Sequence, residues 1–394
     1  MGAPTLKIDE RLKEFAATER QREFVDAVNK HRGIRPAARA LKVDDSVIVR
    51  SMAALRRRAA VLGYSPEHDM TKTVPEPFVV KGTSTLYDAD GKARLQWVKS
   101  KLDAAQYEAA VRAAVTELAQ DVKPLDPSAP PAHADTALCN VYTLTDCHVG
   151  MYAWAKESGA DWDLKIAEST LVGAFEHMVR ASPKATTAVV AQLGDFLHFD
   201  SFKPITPEHG HLLDADSRFS KVVSVAVRIL RSVISLALAR HDQVIVLMAE
   251  GNHDPASSVW LRVIFAQLYA NEPRVQVIDS DLPYYVHQHG LTMLAWHHGH
   301  LRKPEQLPLI FAAQFPQIWG STKYRYAHSG HRHHVDEKEH AGITTVQHAT
   351  MAARDAYAAR GGWISLRQVT AITYHDRFGQ VARNTVVPEM LAAA

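Results

Sequence analysis

The chain has 394 residues, with 45 Lys and Arg against 43 Asp and Glu and a formal net charge of +2. That balance excludes a polyanion-coating protein and a disordered acidic chain, and 46% hydrophobic against 22% charged residues suits a globular chain with a core of its own. Two cysteines cannot build a disulfide framework and point to a reducing compartment. Histidine, the commonest metal-binding side chain, occurs 22 times, and all but His31, His68 and His133 lie after residue 136.

In chain order, the first 13 residues carry Lys7, Asp9, Glu10, Arg11 and Lys13 and hold no apolar run, so no signal peptide is expected. Residues 17–62 read as a small helical bundle. The first helix covers about 18–31 and stops at Gly33; the second follows Pro36; the third starts near Ser46, a plausible N-cap, and runs to Leu62. The spacing of the second and third resembles a helix-turn-helix, whose second helix enters the major groove of DNA. Residues 1–75 hold 15 Lys and Arg against 10 Asp and Glu, a local +5 that suits phosphate contacts. The competing reading is a three-helix bundle used for packing or for oligomerisation.

Residues 79–98 alternate as a hairpin around Asp88–Ala89–Asp90–Gly91. A helix is expected over 103–122, then an extended linker where four prolines fall within residues 124–131. The domains are therefore expected at 1–75 (helix-turn-helix-like), 76–136 (hairpin, helix and linker) and 137–394. In the last, strands at 141–145, 188–193, 244–249 and 291–296 alternate with helices at 164–181, 217–240 and 257–269, which argues α/β layering. The longest apolar stretch, 222–239, is broken by Arg228 and Arg231 and is too charged to span a bilayer.

The strands share one feature: each ends in polar residues. They lead into Asp146-Cys147-His148, Gly194-Asp195, Gly251-Asn252-His253-Asp254 and His297-His298-Gly299-His300, and a segment near Tyr326 leads into Gly330-His331-Arg332-His333. Ligand sites of α/β sheets form outside the carboxyl ends of strands. Asp, Asn and His are oxygen and nitrogen donors suited to manganese, zinc or iron.

In this order the motifs resemble the calcineurin-like metallophosphoesterase superfamily, over residues 139–335. The resemblance implies a four-layer αββα sandwich and two divalent metal ions, manganese first, with zinc, iron or nickel as alternatives. One metal would take Asp146, His148 and His333. The other would take Asn252, His331 and a histidine of the 297–300 cluster, His298 by the commoner family spacing and His297 by that of the repair exonucleases. Asp195 would bridge the two, and a water shared by both would attack phosphorus in line. His253 would stand beside the leaving oxygen, with Asp254 orienting it. Cys147 is read as packing rather than as a ligand, and His287, His289, His340, His348 and His375 as surface or strand histidines. His209 and His211 are candidates only for the cleft edge, and His328 and His334 for contacts behind the ligands.

The Asp-Arg-Gly and Asn-His-Glu stretches of protein phosphatases are missing. Gly194-Asp195-Phe196-Leu197-His198 is instead similar to the double-strand-break-repair exonucleases, in which the corresponding histidine helps to place the scissile phosphate; this makes His198 a candidate. The stretch after His333 is short for their capping domain and partner-binding helices, so a dedicated ATPase partner is not expected. The overall layout, with the hairpin at 82–87 and the tail Arg354-Asp355-Ala356-Tyr357, resembles phage- and prophage-encoded metallophosphoesterases. The expectation is a DNA phosphodiesterase of the (host) cytoplasm, with no membrane partner. The alternatives are a phosphomonoesterase or cyclic-nucleotide phosphodiesterase whose front domain dimerises, and a DNA-binding regulator with an inactive enzyme domain. Residues 341–394 offer no readable chemistry.

Overall fold

The structure, a computed structural model, describes residues 7–75, 78–102, 124–131 and 134–392. The chain divides into two compact units, Met1–Ala110 and Val111–Ala394.

In the first unit, a 3-10 turn (Glu10–Phe15) precedes α1 (Glu19–His31), α2 (Ile34–Leu41) and α3 (Asp45–Val61). Thr18 caps α1 by accepting the Gln21 N–H at 3.3 Å. The helix ends two residues before Gly33, at His31, with its C-cap Arg32 in the left-handed region at φ 56°. The cap of α3 is Asp44, not the expected Ser46, which donates its own N–H to the Asp44 carboxylate at 2.9 Å. Ile48, Met52, Leu55 and Ala59 recur every three or four residues on α3 and bury one face against Phe24, Val25 and Val28 of α1 and Ala37 and Ala38 of α2. The short strands β1 (Tyr64–Ser65) and β2 (Met70–Thr71) pair with each other. An antiparallel hairpin follows, β3 (Phe78–Tyr87) and β4 (Ala93–Leu102), around a turn in which Gly91 takes φ 77°. The helix expected over 103–122 lies outside the described residues.

The first described residues of the second unit, 124–131, form neither helix nor strand. They do not run free as the expected linker would. The Leu125 N–H donates to the Leu268 carbonyl at 2.8 Å, and the Ser128 N–H to the buried Glu272 carboxylate at 2.7 Å. The elements that follow are β5 (Asp135–Leu144), α4 (Ala155–Ser158), α5 (Leu164–Ala181), β6 (Ala185–Gln192), α6 (Phe219–Leu238), β7 (Gln243–Met248), α7 (Pro255–Leu268), β8 (Val275–Val277), β9 (Tyr285–His289) and β10 (Thr292–Trp296). Then come α8 (Leu307–Gln314), α9 (Pro316–Ser321), β11 (Tyr324–Ser329), β12 (Asp336–His340), β13 (Ile343–Gln347), α10 (Ala356–Arg360), β14 (Val369–His375), β15 (Gly379–Val386) and α11 (Pro388–Ala392).

The strands form two sheets, ordered β15-β14-β5-β6-β7-β8 and β12-β13-β11-β10-β9. In the first, β5 to β8 are parallel; in the second, β10, β11 and β13 are parallel. Alternation decides the layers. Val189 and Ala191 of β6 point between the sheets, with Val141, Ile245, Leu247, Leu294 and Trp296. Ala188 and Val190 point outward onto Phe175 of α5, Ile229 and Val233 of α6 and Phe265 of α7. Met293 and Ala295 of β10 meet Leu307 and Phe311 of α8 on the far side. Helix, sheet, sheet and helix are thus stacked in four layers, as expected, and adjacent parallel strands of both sheets end at one edge. No helix among the described residues is long and apolar enough to cross a membrane.

Candidate metal centre

The five strand ends bring their polar residues together. Asp146, His148 and His333 form one group of donor atoms, and Asp195, His298 and His331 a second, each within 4.8 Å. In the first, His333 Nε2 lies 3.2 Å from Asp146 Oδ1 and 3.3 Å from His148 Nε2. In the second, His298 Nε2 lies 3.2 Å from Asp195 Oδ2 and 3.9 Å from Asp146 Oδ1. Donors held about 2.1 Å from one cation stand roughly 3.0–3.4 Å apart, so the 3.2–3.3 Å spacings within each group fit a metal there.

Charge points the same way. Asp146 and Asp195 are buried, and no lysine or arginine pairs with either among the described residues. Burial works against both charges, yet the surrounding imidazoles hold both carboxyls well below the usual range. Burial presses the His298 imidazole down, but Asp195 and Asp146 outweigh it and raise it to about 10. The two carboxylates demand positive charge here, and a proton on His298 is the nearest substitute within the chain.

Orientation is built in. The His298 Nδ1–H donates to the Leu193 carbonyl at 2.8 Å, which leaves Nε2 as the coordinating nitrogen, and Nε2 has no hydrogen bond. Asn252 Oδ1 is likewise buried without a partner, as a carbonyl donor awaiting a cation would be. Burial and the neighbouring His253, His333 and His198 push His148 well below its usual value, into the neutral form a metal needs. His297 is turned away: its Nδ1 accepts the Gly299 N–H and its ring stacks on Tyr284 at 4.9 Å. Of the two alternatives, His298 is the one that faces the aspartates.

The backbone is bent to reach this geometry. Eight non-glycine residues among those described have positive φ; three sit at helix C-caps, and the other five are Asp146, His148, Asp195, His331 and His333. Each costs about 1–3 kcal/mol and persists only where its surroundings over-determine it. The restraints are visible. The His331 N–H donates to both Asp146 oxygens at 2.9 and 3.1 Å, and the Thr350 hydroxyl donates to the Asp146 carbonyl at 2.6 Å. Asp254 accepts the N–H groups of Gly251, Asp195, Phe196 and Leu197 at 2.8–3.2 Å. Gly251 and Gly330 are required for close approach: a Cβ on the first would fall on the Asp195 carboxylate, and on the second against Thr145 and Asp146.

Two expectations change. Asp254 does not orient His253; its carboxylate is committed to the turn after β6. The His253 Nδ1–H donates instead to the His198 carbonyl at 2.8 Å, so its Nε2 is the nitrogen left for chemistry. The His198 ring is buried, stacks on His253 at 5.5 Å and sets its Nδ1 3.3 Å from that of His148; it is not among the residues that line the cleft, and it backs two site histidines, with which it forms a third group of donor atoms.

Among the other histidines, His328 and His348 are both buried and bonded to each other at 2.9 Å, so His348 is no surface residue. His209 and His211 are exposed and stand outside the cleft wall, while His334 lines it. Cys147 is buried in the core under α5 and α6.

A cleft of about 870 Å³ opens over the centre. His148, Asp195, Asn252, His253, His331 and His333 form its floor; Arg332, Arg354, Tyr357, Trp363 and Ile364 stand in its wall. The sequence between 354 and 364 gave no sign of this, because its small, aromatic and glycine residues follow neither helical nor strand period.

No protein-family model matches the chain, and no curated protein matches it. Solved structures do. A predicted phosphoesterase from Streptococcus pneumoniae is 13% identical, with 65% of this chain and 92% of that one covered and a TM-score of 0.30. A dimetal phosphatase from Danio rerio is 10% identical over 64% and 99%, with a TM-score of 0.36. Wild-type Vps29 from Entamoeba histolytica, complexed with Zn2+, is 13% identical over 63% and 99%, with a TM-score of 0.25. Likenesses this remote leave the centre to be judged on its own geometry.

Proposed function

We propose that the chain is a two-metal phosphoesterase that hydrolyses phosphodiesters of nucleic acid, with manganese as its working metal. The observation that carries this is the pair of adjacent Asp/His donor groups, built on two buried carboxylates that have no lysine or arginine partner among the described residues. Imidazole, carboxylate and amide oxygen together suit manganese, zinc or iron better than magnesium or calcium. Two cations held there would neutralise phosphate oxygens and make a water acidic enough to act as nucleophile.

The chain's own groups supply the rest. Asp195 sets Oδ2 3.2 Å from His298 Nε2 and accepts the His253 N–H on Oδ1 at 2.8 Å, and it would be the carboxylate shared by the two cations. His148, His298 and His331 fix the depth at which a phosphate can sit, and the bonds from the 195–197 turn to Asp254 keep that floor rigid. His253, aimed by the His198 carbonyl, can hand a proton from Nε2 to the leaving oxygen. In the first unit, α3 exposes Arg50, Arg56 and Arg57 beside Val47 and Val49, a surface suited to DNA phosphates and thymine methyl groups.

The test is incubation of the full chain with labelled single- and double-stranded DNA and, in parallel, a small aryl phosphodiester and a phosphomonoester, each with Mn2+, Zn2+, Fe2+ or Ni2+. Metal-dependent cleavage of DNA is expected. Hydrolysis confined to the small esters would remove nucleic acid as substrate, and no hydrolysis with any metal would overturn the phosphoesterase reading itself.

A further inference from the structure

The segment after β13 starts inside the molecule and comes out beside the metal centre. Met351, Ala352 and Ala353 are buried, the latter two against Trp162, and Arg354 then donates to the Ser158 carbonyl at 3.0 Å. Asp355, which also lines the cleft, caps the short α10 by accepting the Ala358 N–H at 2.7 Å. Arg367 closes the segment with two bonds to the Met351 carbonyl. Both ends are tied, so what lies between them is held as a wall of the cleft.

That wall is aromatic and wet. Tyr357 is 73% exposed and Trp363 57%, although both are large enough to be worth burying. Their rings meet edge to face at 5.1 Å, and the indole lies over Gly361, where a Cβ would come within 3.2 Å of it. Gly362, at φ 71°, makes the turn that folds Trp363 back. Across the floor, Arg332 stands between the site residues His331 and His333, exposed and without an ion pair among the described residues. The cleft is also far larger than a phosphate group: about 870 Å³ is at the upper end of what drug-sized ligands fill.

We infer that Tyr357 and Trp363 form a stacking platform for an unpaired nucleobase next to the scissile phosphate, with Arg332 holding the adjoining phosphate. This deepens the phosphoesterase proposal and rests on it. A π-face and a guanidinium that has no ion pair among the described residues, both lining one cleft, match the alternation of base and phosphate along a single strand. A duplex would keep its bases stacked on one another and leave the platform empty. The substrate class this favours is a single-stranded or frayed end rather than a compact monoester.

The experiment measures equilibrium binding of the full chain, with Ca2+, to two labelled tetranucleotides: one of deoxythymidines and one with the same backbone but abasic. The wild type is expected to favour the base-bearing strand about tenfold. In Trp363→Ala and Tyr357→Ala that preference should fall towards one. Arg332→Ala should weaken both strands alike. Phe378→Ala, an exposed aromatic outside the cleft wall, should keep the wild-type ratio, and thermal melting checks that each variant is folded. A wild-type ratio of one, or a ratio that survives both wall substitutions, would overturn the platform. So would equal losses for both strands in Trp363→Ala. These results are separate from failure of the parent reading, which shows as a wild type that hydrolyses no phosphoester with any metal.

Discussion

Seen residue by residue, the proposed function gives metal binding and turnover to different side chains of the candidate centre. Asp146 contributes charge to one donor group and, through both oxygens, anchors the backbone of His331. Asp146→Asn should therefore lose metal and phosphodiester hydrolysis together, with metal affinity down at least tenfold by calorimetry. His253 lies beside the donor groups, and its ring is aimed by a carbonyl rather than a carboxylate. His253→Ala should keep its metals and lose turnover by about 10²–10⁴-fold, the usual worth of a general acid. Equal metal loss in both variants would remove His253 from that role. Gly251→Ala tests the close approach: a methyl group there collides with Asp195, so we expect a loss of about 1–3 kcal/mol in unfolding free energy and weakened metal binding. Gly82→Ala, which meets open space, should be close to neutral. The donor identities were legible in the sequence because polar residues follow each apolar run. The left-handed backbone of five of them was not: aspartate and histidine rarely adopt it, and only tertiary hydrogen bonds hold it here. The job of Asp254 was hidden for the same reason, since its partners are backbone N–H groups, three of which lie more than fifty residues away.

At the level of elements, short apolar runs located β6, β7 and β10, and helical spacing α5 to α7, within three residues, while β5 begins six residues earlier than its apolar run. Neither could find the joints between them. His241, between α6 and β7, is one such joint. Its Nδ1–H donates to the Ala185 carbonyl of β6 at 2.7 Å, so its Nε2 accepts from the Tyr142 hydroxyl of β5 at 2.9 Å. Both bonds need the neutral ring; a proton on Nε2 would leave the tyrosine hydroxyl without its acceptor. Burial accordingly lowers His241 to about 4, against 6.5 in an unfolded chain. A depressed folded-state value means that the unfolded chain binds the proton first. The stability from this joint is complete above about pH 6.5 and drains away as pH falls toward 4. Over the step from about pH 7 to about pH 5 the loss is about 2 kcal/mol. His241→Gln can reproduce both bonds without titrating. Urea unfolding at the two pH values should show the variant losing about 2 kcal/mol less than the wild type. Parallel losses would mean that acid acts elsewhere, for example at the buried His328–His348 pair.

Across the whole molecule, a net charge of +2 conceals an uneven distribution. Residues 1–75 carry +5, so the remaining residues together carry −3. The excess is carried by a unit whose core is complete without it: Ile48, Met52, Leu55 and Ala59 pack inward while Arg56 and Arg57 stay exposed on the same helix. Exposed arginines on one helix add little to stability; under the proposed function they would meet DNA phosphates. The metal centre lies wholly in the other unit, and its chemistry does not require them. Replacing both, as Arg56→Ala with Arg57→Ala, should therefore divide the two activities. Affinity for duplex DNA should fall, and the slope of log affinity against log salt should flatten by about one to two, since each phosphate contact contributes about 0.9. Metal-dependent hydrolysis of a small phosphodiester should keep its wild-type rate. Fluorescence anisotropy on a labelled duplex across a salt series provides the first readout and a colorimetric assay the second. An unchanged salt slope would show that the basic helix is not the part that holds DNA, and the first unit would then be better explained by contacts between copies of the chain.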